Sequence, residues 1–207
     1  MKRTAALLTL IAASTGALAS TNLLVNGSFE DNVVASGEFL HVPSINGWSL
    51  LAAPKDVGFE LRNNLAGKAQ HGHNFIELDS YGNTTIGQTV DGLTDGQTYN
   101  LSFWYSPRQD VPANSNGIDV FWNGTQLGST ITAKGADNGN RWTQYSFTVT
   151  AGAGANLLSF AAVGKSDMLG GGLDNVSLTS PVPEPSGMAL SLAGLGSLWL
   201  LRRRRAR

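Results

Sequence analysis

The chain of 207 residues contains no cysteine. That absence excludes disulfides, thiolate metal sites and cysteine nucleophiles together, so stability has to come from a packed core. Charge is scarce, at 14% of residues, and basic charge is scarcer still away from the ends. Residues 20–180 hold seven Lys and Arg against fourteen Asp and Glu, a balance of −7. An acidic domain without a basic patch argues against nucleic acid as a partner and against binding an anionic membrane surface. Neutral glycans, cations or plain solvation suit it better. No apolar run approaches the ~20 residues that span a bilayer comfortably; the segment from Gly187 to Leu201 has fifteen. A sustained 3.6-residue apolar period is also missing from residues 20–180. So are a Gly-x-Ser-x-Gly elbow, a phosphate-binding Gly-rich loop and a His-Glu-x-x-His pair.

Both ends read as processing segments. Lys2 and Arg3, the apolar run Ala5–Ala13 and the small-x-small site Ala17-Leu18-Ala19 before Ser20 form a signal peptide over 1–19. Residues 181–207 carry Val182-Pro183-Glu184-Pro185, the apolar segment, and Arg202, Arg203, Arg204 and Arg205. Clustered arginines stay on the cytoplasmic side, so everything before them is left outside. This three-part tail resembles the PEP-CTERM sorting signal of Gram-negative bacteria. The resemblance implies an apolar transmembrane sorting helix that anchors the chain transiently in the inner membrane. It also implies an exosortase-type processing enzyme as a partner and a destination at the cell surface or in the extracellular, exopolysaccharide-containing matrix.

Between the ends lies one domain of ordinary size, 20–180, and its punctuation is that of an all-β protein. Asn-Gly, which favours tight hairpins, recurs at Asn26-Gly27, Asn46-Gly47, Asn116-Gly117, Asn123-Gly124 and Asn138-Gly139. Short alternating runs lie between. Tyr99, Leu101, Phe103 and Tyr105 share one face, with Trp104 on the other. Ile118, Val120 and Trp122 alternate with Asp119 and Phe121, and Tyr145, Phe147 and Val149 alternate with polar residues. Shorter strands are expected at Phe75–Asp79, Thr85–Val90, Leu157–Val163 and Leu173–Leu178, with others near Trp48 and at Phe59–Leu61 inside an irregular stretch, 33–68. The pattern predicts a jelly-roll β-sandwich.

Asn26-Gly27-Ser28-Phe29-Glu30, Ile45-Asn46-Gly47-Trp48, Phe75-Ile76-Glu77-Leu78-Asp79, Ile86-Gly87-Gln88-Thr89-Val90, Gly96–Phe103 and Gly171-Gly172-Leu173-Asp174-Asn175-Val176 follow one another in order. In that order they resemble DUF642-type domains and family-4/9 carbohydrate-binding modules of the galactose-binding-like superfamily. The resemblance implies a structural calcium site away from the glycan groove. The first and last strands of a jelly roll lie close together, so Glu30 and Asp174 can converge, with the Gly27 carbonyl beside them. Calcium takes six to eight oxygens of this kind. The alternative is that Glu30 caps backbone amides and Asp174 holds a turn.

For a glycan, the outward aromatics Trp104 and Phe121 are the candidate platforms, because sugar C–H faces stack on flat rings while polar neighbours read hydroxyls. Glu77, Asp79, Gln88, Arg108 and Asp119 are the candidate polar partners. A one-residue register error would turn all of these inward, and cover by the 33–68 loops would hide the two rings. Glu77 and Asp79 as i and i+2 neighbours would stand about 6.5–7 Å apart. Approaching a bond from the same side, they do not make a glycosidase pair. His71-Gly72-His73 offers two imidazoles with no evident third ligand. The sequence therefore predicts an exported, non-catalytic, carbohydrate-binding domain of the extracellular matrix. A structural or adhesive matrix protein without a sugar site is the alternative.

Overall fold

The computed structural model describes residues 20–54 and 58–181. The signal peptide and the sorting motif at Val182, Pro183, Glu184 and Pro185 lie outside the described residues. Among the described residues no helix is long and apolar enough to cross a membrane.

Among the described residues twelve strands form two antiparallel sheets packed as a jelly-roll β-sandwich. The first sheet runs in the order β1 (Glu38–Val42), β3 (Phe59–Asn63), β4 (Phe75–Glu77), β12 (Gly172–Thr179), β6 (Thr98–Ser106) and β10 (Thr143–Thr150). The second runs β2 (Ser49–Ala52), β5 (Thr85–Val90), β11 (Asn156–Val163), β7 (Gly117–Trp122) and β8 (Thr125–Gln126), with β9 (Ile131–Thr132) also paired to β7. The alternation seen in the sequence sets which face goes in. Leu101, Phe103 and Tyr105 of β6 and Ile118, Val120 and Trp122 of β7 are buried between the sheets. Phe103 meets Phe160 of β11 edge to face across the sandwich, with ring centroids 5.0 Å apart. Such pairs add to area burial because a ring's positive edge meets a negative face.

The predicted strands at Phe75–Asp79 and Phe59–Leu61 need correction in extent. β4 stops at Glu77 and β3 continues to Asn63. The irregular stretch 33–68 also holds β1, an edge strand whose sequence, Glu-Phe-Leu-His-Val, lacks clean alternation. Asn-Gly turns behave unequally. Asn123 and Gly124 both take positive φ (51° and 77°) and close the β7–β8 hairpin, as a mirror-image turn requires. Asn116, by contrast, is fully buried, and its side chain ties together the backbone around Arg108, Val111 and Pro112.

The first residues of the domain lie along its last strand. Leu23 N–H donates to the Leu178 carbonyl (2.8 Å), and Ser20 Oγ–H to the Ser180 carbonyl (3.3 Å). One step further in, Gln88 holds this segment on the second sheet. Its Oε1 accepts from Val25 N–H (2.7 Å) and its Nε2 donates to the Val25 carbonyl (2.9 Å), so a side-chain amide stands in for a strand partner. Removing it leaves two backbone groups of Val25 unpaired, at a cost of about 2 kcal/mol. Gln88→Ala is expected to lower the unfolding free energy by that amount in a urea titration, with an unchanged m-value.

Candidate functional site

The outer face of the first sheet carries the chemistry, because register lines up its outward residues in rows. One row runs His41, Glu60, Glu77, Gly172 and Ser106 across β1, β3, β4, β12 and β6. The next pairs Phe39 with Arg62, Arg62 with Phe75, Asp174 with Trp104, and Trp104 with Gln144. In β3, Leu61 faces the core, so Glu60 and Arg62 face out, yet both are buried. What buries them is loop material: the 64–74 segment, the turn after β4, the residues after β6 and those before β12.

The 64–74 segment is tied down by two carboxylates. Glu30 Oε1 accepts from the amides of His73 (2.9 Å) and Asn74 (2.7 Å). Asp174 Oδ2 accepts from those of Gln70 (2.8 Å) and His71 (2.9 Å), and its Oδ1 from Asn175 N–H (2.6 Å). On the far side, Trp142 Nε1–H (2.9 Å) and Asn140 Nδ2–H (3.1 Å) donate to the Lys68 carbonyl. Burial pushes the Asp174 carboxyl up to about 7 against the pull of its amide donors, and the nearby charge of Glu30 adds to the rise.

Depressions open on either side of this segment. One, of about 490 Å³, is lined by Phe39, His41, Arg62, Tyr81, Arg108 and Met168 among others. The second, of about 420 Å³, is lined by Asn64, Lys68, Gln109, Asn138, Asn140 and Trp142. Gln109 borders both. Tyr81 is 59% exposed and stacks on His41, with ring centroids 4.6 Å apart; Phe39, 47% exposed, meets the same imidazole edge-on. Trp142 is half-buried, resting edge-to-face on Phe75 at 5.6 Å.

Beneath the larger depression lies a buried ionic cluster. Arg62 Nη2 stands 2.6 Å from Glu60 Oε1 and 2.7 Å from Glu77 Oε2, and Arg108 Nη1 is 3.0 Å from Glu77 Oε1. Gly170 N–H also donates to Glu77 (2.9 Å). Burial nevertheless pushes the Glu77 carboxyl up to about 8, with Arg62 and Arg108 pulling the other way and Glu60 adding to the rise. Ser80, His41 and Glu60 have the residue types of a hydrolytic triad but not its geometry. Both Ser80 Oγ (2.8 Å) and Glu60 Oε2 (3.1 Å) lie on His41 Nε2, whereas a triad needs the carboxylate on Nδ1 so that Nε2 is left to take the serine proton.

The structure separates several residues that the sequence groups together. Trp104 and Phe121 both face outward and are half-buried, but on different sheets, so a single groove cannot use both rings. Asp119 goes with Phe121 on the second sheet, where it accepts from Gln126 (3.0 Å) and Thr130 (2.6 Å). Gln88 faces inward and serves as the Val25 clamp. Asp79 lies beyond β4, fully buried, and holds the 166–169 loop through Ser166 Oγ and the amides of Asp167 and Leu169. Glu77 and Arg108 are brought together, and of the two only Arg108 lines the larger depression. Phe39, Arg62, Tyr81, Gln109 and Trp142 escape a sequence reading. Tyr81 and Gln109 sit in turns without periodicity, and β1 and β3 lie in the stretch that reads as irregular.

Glu30 and Asp174 do approach one another near the Gly27 turn. Neither has a Lys or Arg ion pair among the described residues, so the pair fits a divalent cation in charge. Their oxygens are largely occupied by loop amides, and the Gly27 carbonyl accepts from Val176 N–H (2.8 Å). Glu30 Oε2 accepts no hydrogen bond from the described residues. No group of three or more His, Asp or Glu among the described residues is placed to hold a metal ion, and His71 and His73 gain no third partner.

No family model matches the chain. It is 32% identical over 157 residues to a multifunctional-autoprocessing repeats-in-toxin protein of Vibrio vulnificus, covering 75% of this chain. It is 34% identical over 161 residues to the protein of that name from Vibrio cholerae, covering 77% of this chain. The aligned region spans only 3% of the length of either toxin. Among solved structures, TmCBM61 in complex with β-1,4-galactotriose superposes with a TM-score of 0.51 at 16% identity, over 78% of this chain and all of the module. The domain therefore has the β-sandwich fold of a carbohydrate-binding module.

The raised pKa of Glu77 sets the sign of a pH effect. Between its unfolded value of 4.5 and about 8 the folded state holds this proton more tightly than the unfolded chain. Its contribution to stability is therefore fully present below 4.5 and is lost as pH rises toward 8. Thermal melts at pH 5.5 and 8.0 are expected to show a drop in Tm that becomes smaller in Glu77→Gln.

Proposed function

We propose that this is an exported, non-catalytic carbohydrate-binding domain whose ligand lies on the outer face of the first sheet, across the two depressions flanking the 64–74 segment. The observation that carries this reading is the pairing of exposed or half-exposed aromatic rings with polar side chains at the two depressions. Tyr81 and Phe39 stand over one depression and Trp142 over the other, with Gln109 and Arg108 among the side chains between them. Apolar C–H faces of a sugar stack on such rings while nearby donors and acceptors read its hydroxyls. The likeness to a module solved with a galactotriose supports the reading at the level of fold. Trp104 takes a secondary place because its neighbour across the register, Asp174, is buried under the 64–74 segment.

In this reading the N-terminal signal exports the chain. The Val182–Pro185 motif and arginine tail pass it to an exosortase-type enzyme after transient membrane anchoring, and extracellular polysaccharide is the partner at the surface or in the matrix. Calcium belongs to the same proposal as a structural ion on Glu30, Asp174 and the Gly27 carbonyl. It would neutralise two like charges that now rely on amides alone.

Titration of the purified protein against neutral and acidic polysaccharides, including the producer's own, tests the reading. Saturable binding is expected. Tyr81→Ala and Trp142→Ala should each weaken it about tenfold, equivalent to about 1.4 kcal/mol, and Tyr81→Ala should leave the melting temperature unchanged because the ring is exposed. Failure to bind any glycan would transfer the protein to a structural or adhesive role in the matrix. For calcium, millimolar Ca²⁺ is expected to raise Tm by several degrees over a chelator-treated sample; identical melts would remove the ion from the account.

A further inference from the structure

We infer that the larger depression takes a sugar bearing a carboxylate, a uronic acid residue, whose acid group is received by Arg62 and Arg108. This rests on the glycan reading above and names the class of sugar. The argument starts from donors that the protein leaves unspent. Arg62 is 5% exposed and directs Nε and Nη2 to Glu60 and Glu77, yet its Nη1 is buried with no acceptor among the described residues. A buried guanidinium nitrogen without a partner is expensive, and here its side chain lines an open depression. Arg108 is the second case. It spends Nη1 alone on three acceptors, both oxygens of Glu77 and the Met168 carbonyl, while its Nε and Nη2 donate to no group among the described residues.

Arg108 offers its unspent Nε–Nη2 edge, and Arg62, whose Nη1 is buried in the lining of the same depression, adds charge beside it; such an edge calls for an acceptor with two coplanar oxygens. A carboxylate supplies that geometry together with the opposite charge, whereas a hydroxyl supplies one acceptor and no charge. The ring bearing it would lie against Tyr81, which stacks on His41 and presents its other face outward. Local charge agrees. Glu60 and Glu77 balance the two arginines only when both are ionised, and burial works against ionisation of Glu77. The surrounding domain is acidic, so the attraction is confined to contact range and does not steer ligands from afar.

The test compares oligogalacturonate and oligoglucuronate with the same oligosaccharides after reduction of their carboxyl groups, titrated calorimetrically into the purified protein with galactotriose alongside. At least one intact acid is expected to bind about tenfold more tightly than its reduced form, the effect of one charge-assisted contact. Arg108→Lys keeps the charge but loses the fork, and should bring the intact-to-reduced ratio close to one. Equal affinity of intact and reduced forms would overturn the carboxylate and leave the sugar reading standing, as would binding of galactotriose alone. No binding by any of these sugars or the producer's polysaccharide would bring down both. Should Arg108→Lys fail to fold, the comparison of intact and reduced sugars on the unaltered protein still decides.

Discussion

The binding face depends on how one loop is held. Four amides of the 70–74 stretch would be left without partners on a bare sheet, and Glu30 and Asp174 accept all four. These carboxylates come from opposite ends of the domain, one just after the first turn and one in the last strand. The loop can therefore be placed only once the residues before β1 have come together with the last strand. Gly72 shows how close the approach is. A Cβ there would stand 2.5 Å from the Glu30 carboxyl carbon, and its φ of +69° already favours glycine. Without this anchor, Lys68 would not reach Trp142 and Asn140, and nothing would divide or wall the two depressions.

Beneath the loop the same sheet carries buried charge, which is costly unless each member is paired. Glu60, Arg62, Glu77 and Arg108 pair with one another, and His41 and Ser80 extend the network from the edge strand. Hydrophobic residues in these positions would pack as well with less penalty, so the cluster adds little to stability. What it provides is a rigid floor of directed donors under exposed aromatic rings.

Much of the fold was legible because periodicity is a strong signal for long strands. β6, β7 and β10 alternate cleanly, and their inward faces match the pattern. β1 is hidden by a sequence without clean alternation, and β3 reads short because Arg62 and Asn63 are polar yet covered, which breaks the rule that polar side chains face water. The candidate site was less legible for a related reason. Alternation gives the outward direction of Trp104 and Phe121 but not which sheet each strand joins, and they join different ones. Tyr81, Gln109 and Trp142 gather only through loop paths that no local pattern encodes. Glu77 and Arg108 were visible as chemistry, but their partnership spans 31 residues and two strands.

The meeting of Ser20 with Ser180 has a mechanical consequence. Whatever is joined to either end leaves from the Thr179 end of β12, while the depressions lie by Gly172 at its other end, about 23 Å away at some 3.3 Å per residue. A glycan held at one pole and an attachment at the other would put tension along β12. That strand is paired with β6 from Gly172 to Thr179, apart from a bulge, and with β4 at Gly172 and Leu173, with hydrogen bonds perpendicular to the pull. Load would then be shared by the whole ladder in shear instead of being taken one bond at a time, the stronger way for a sheet to resist being drawn apart.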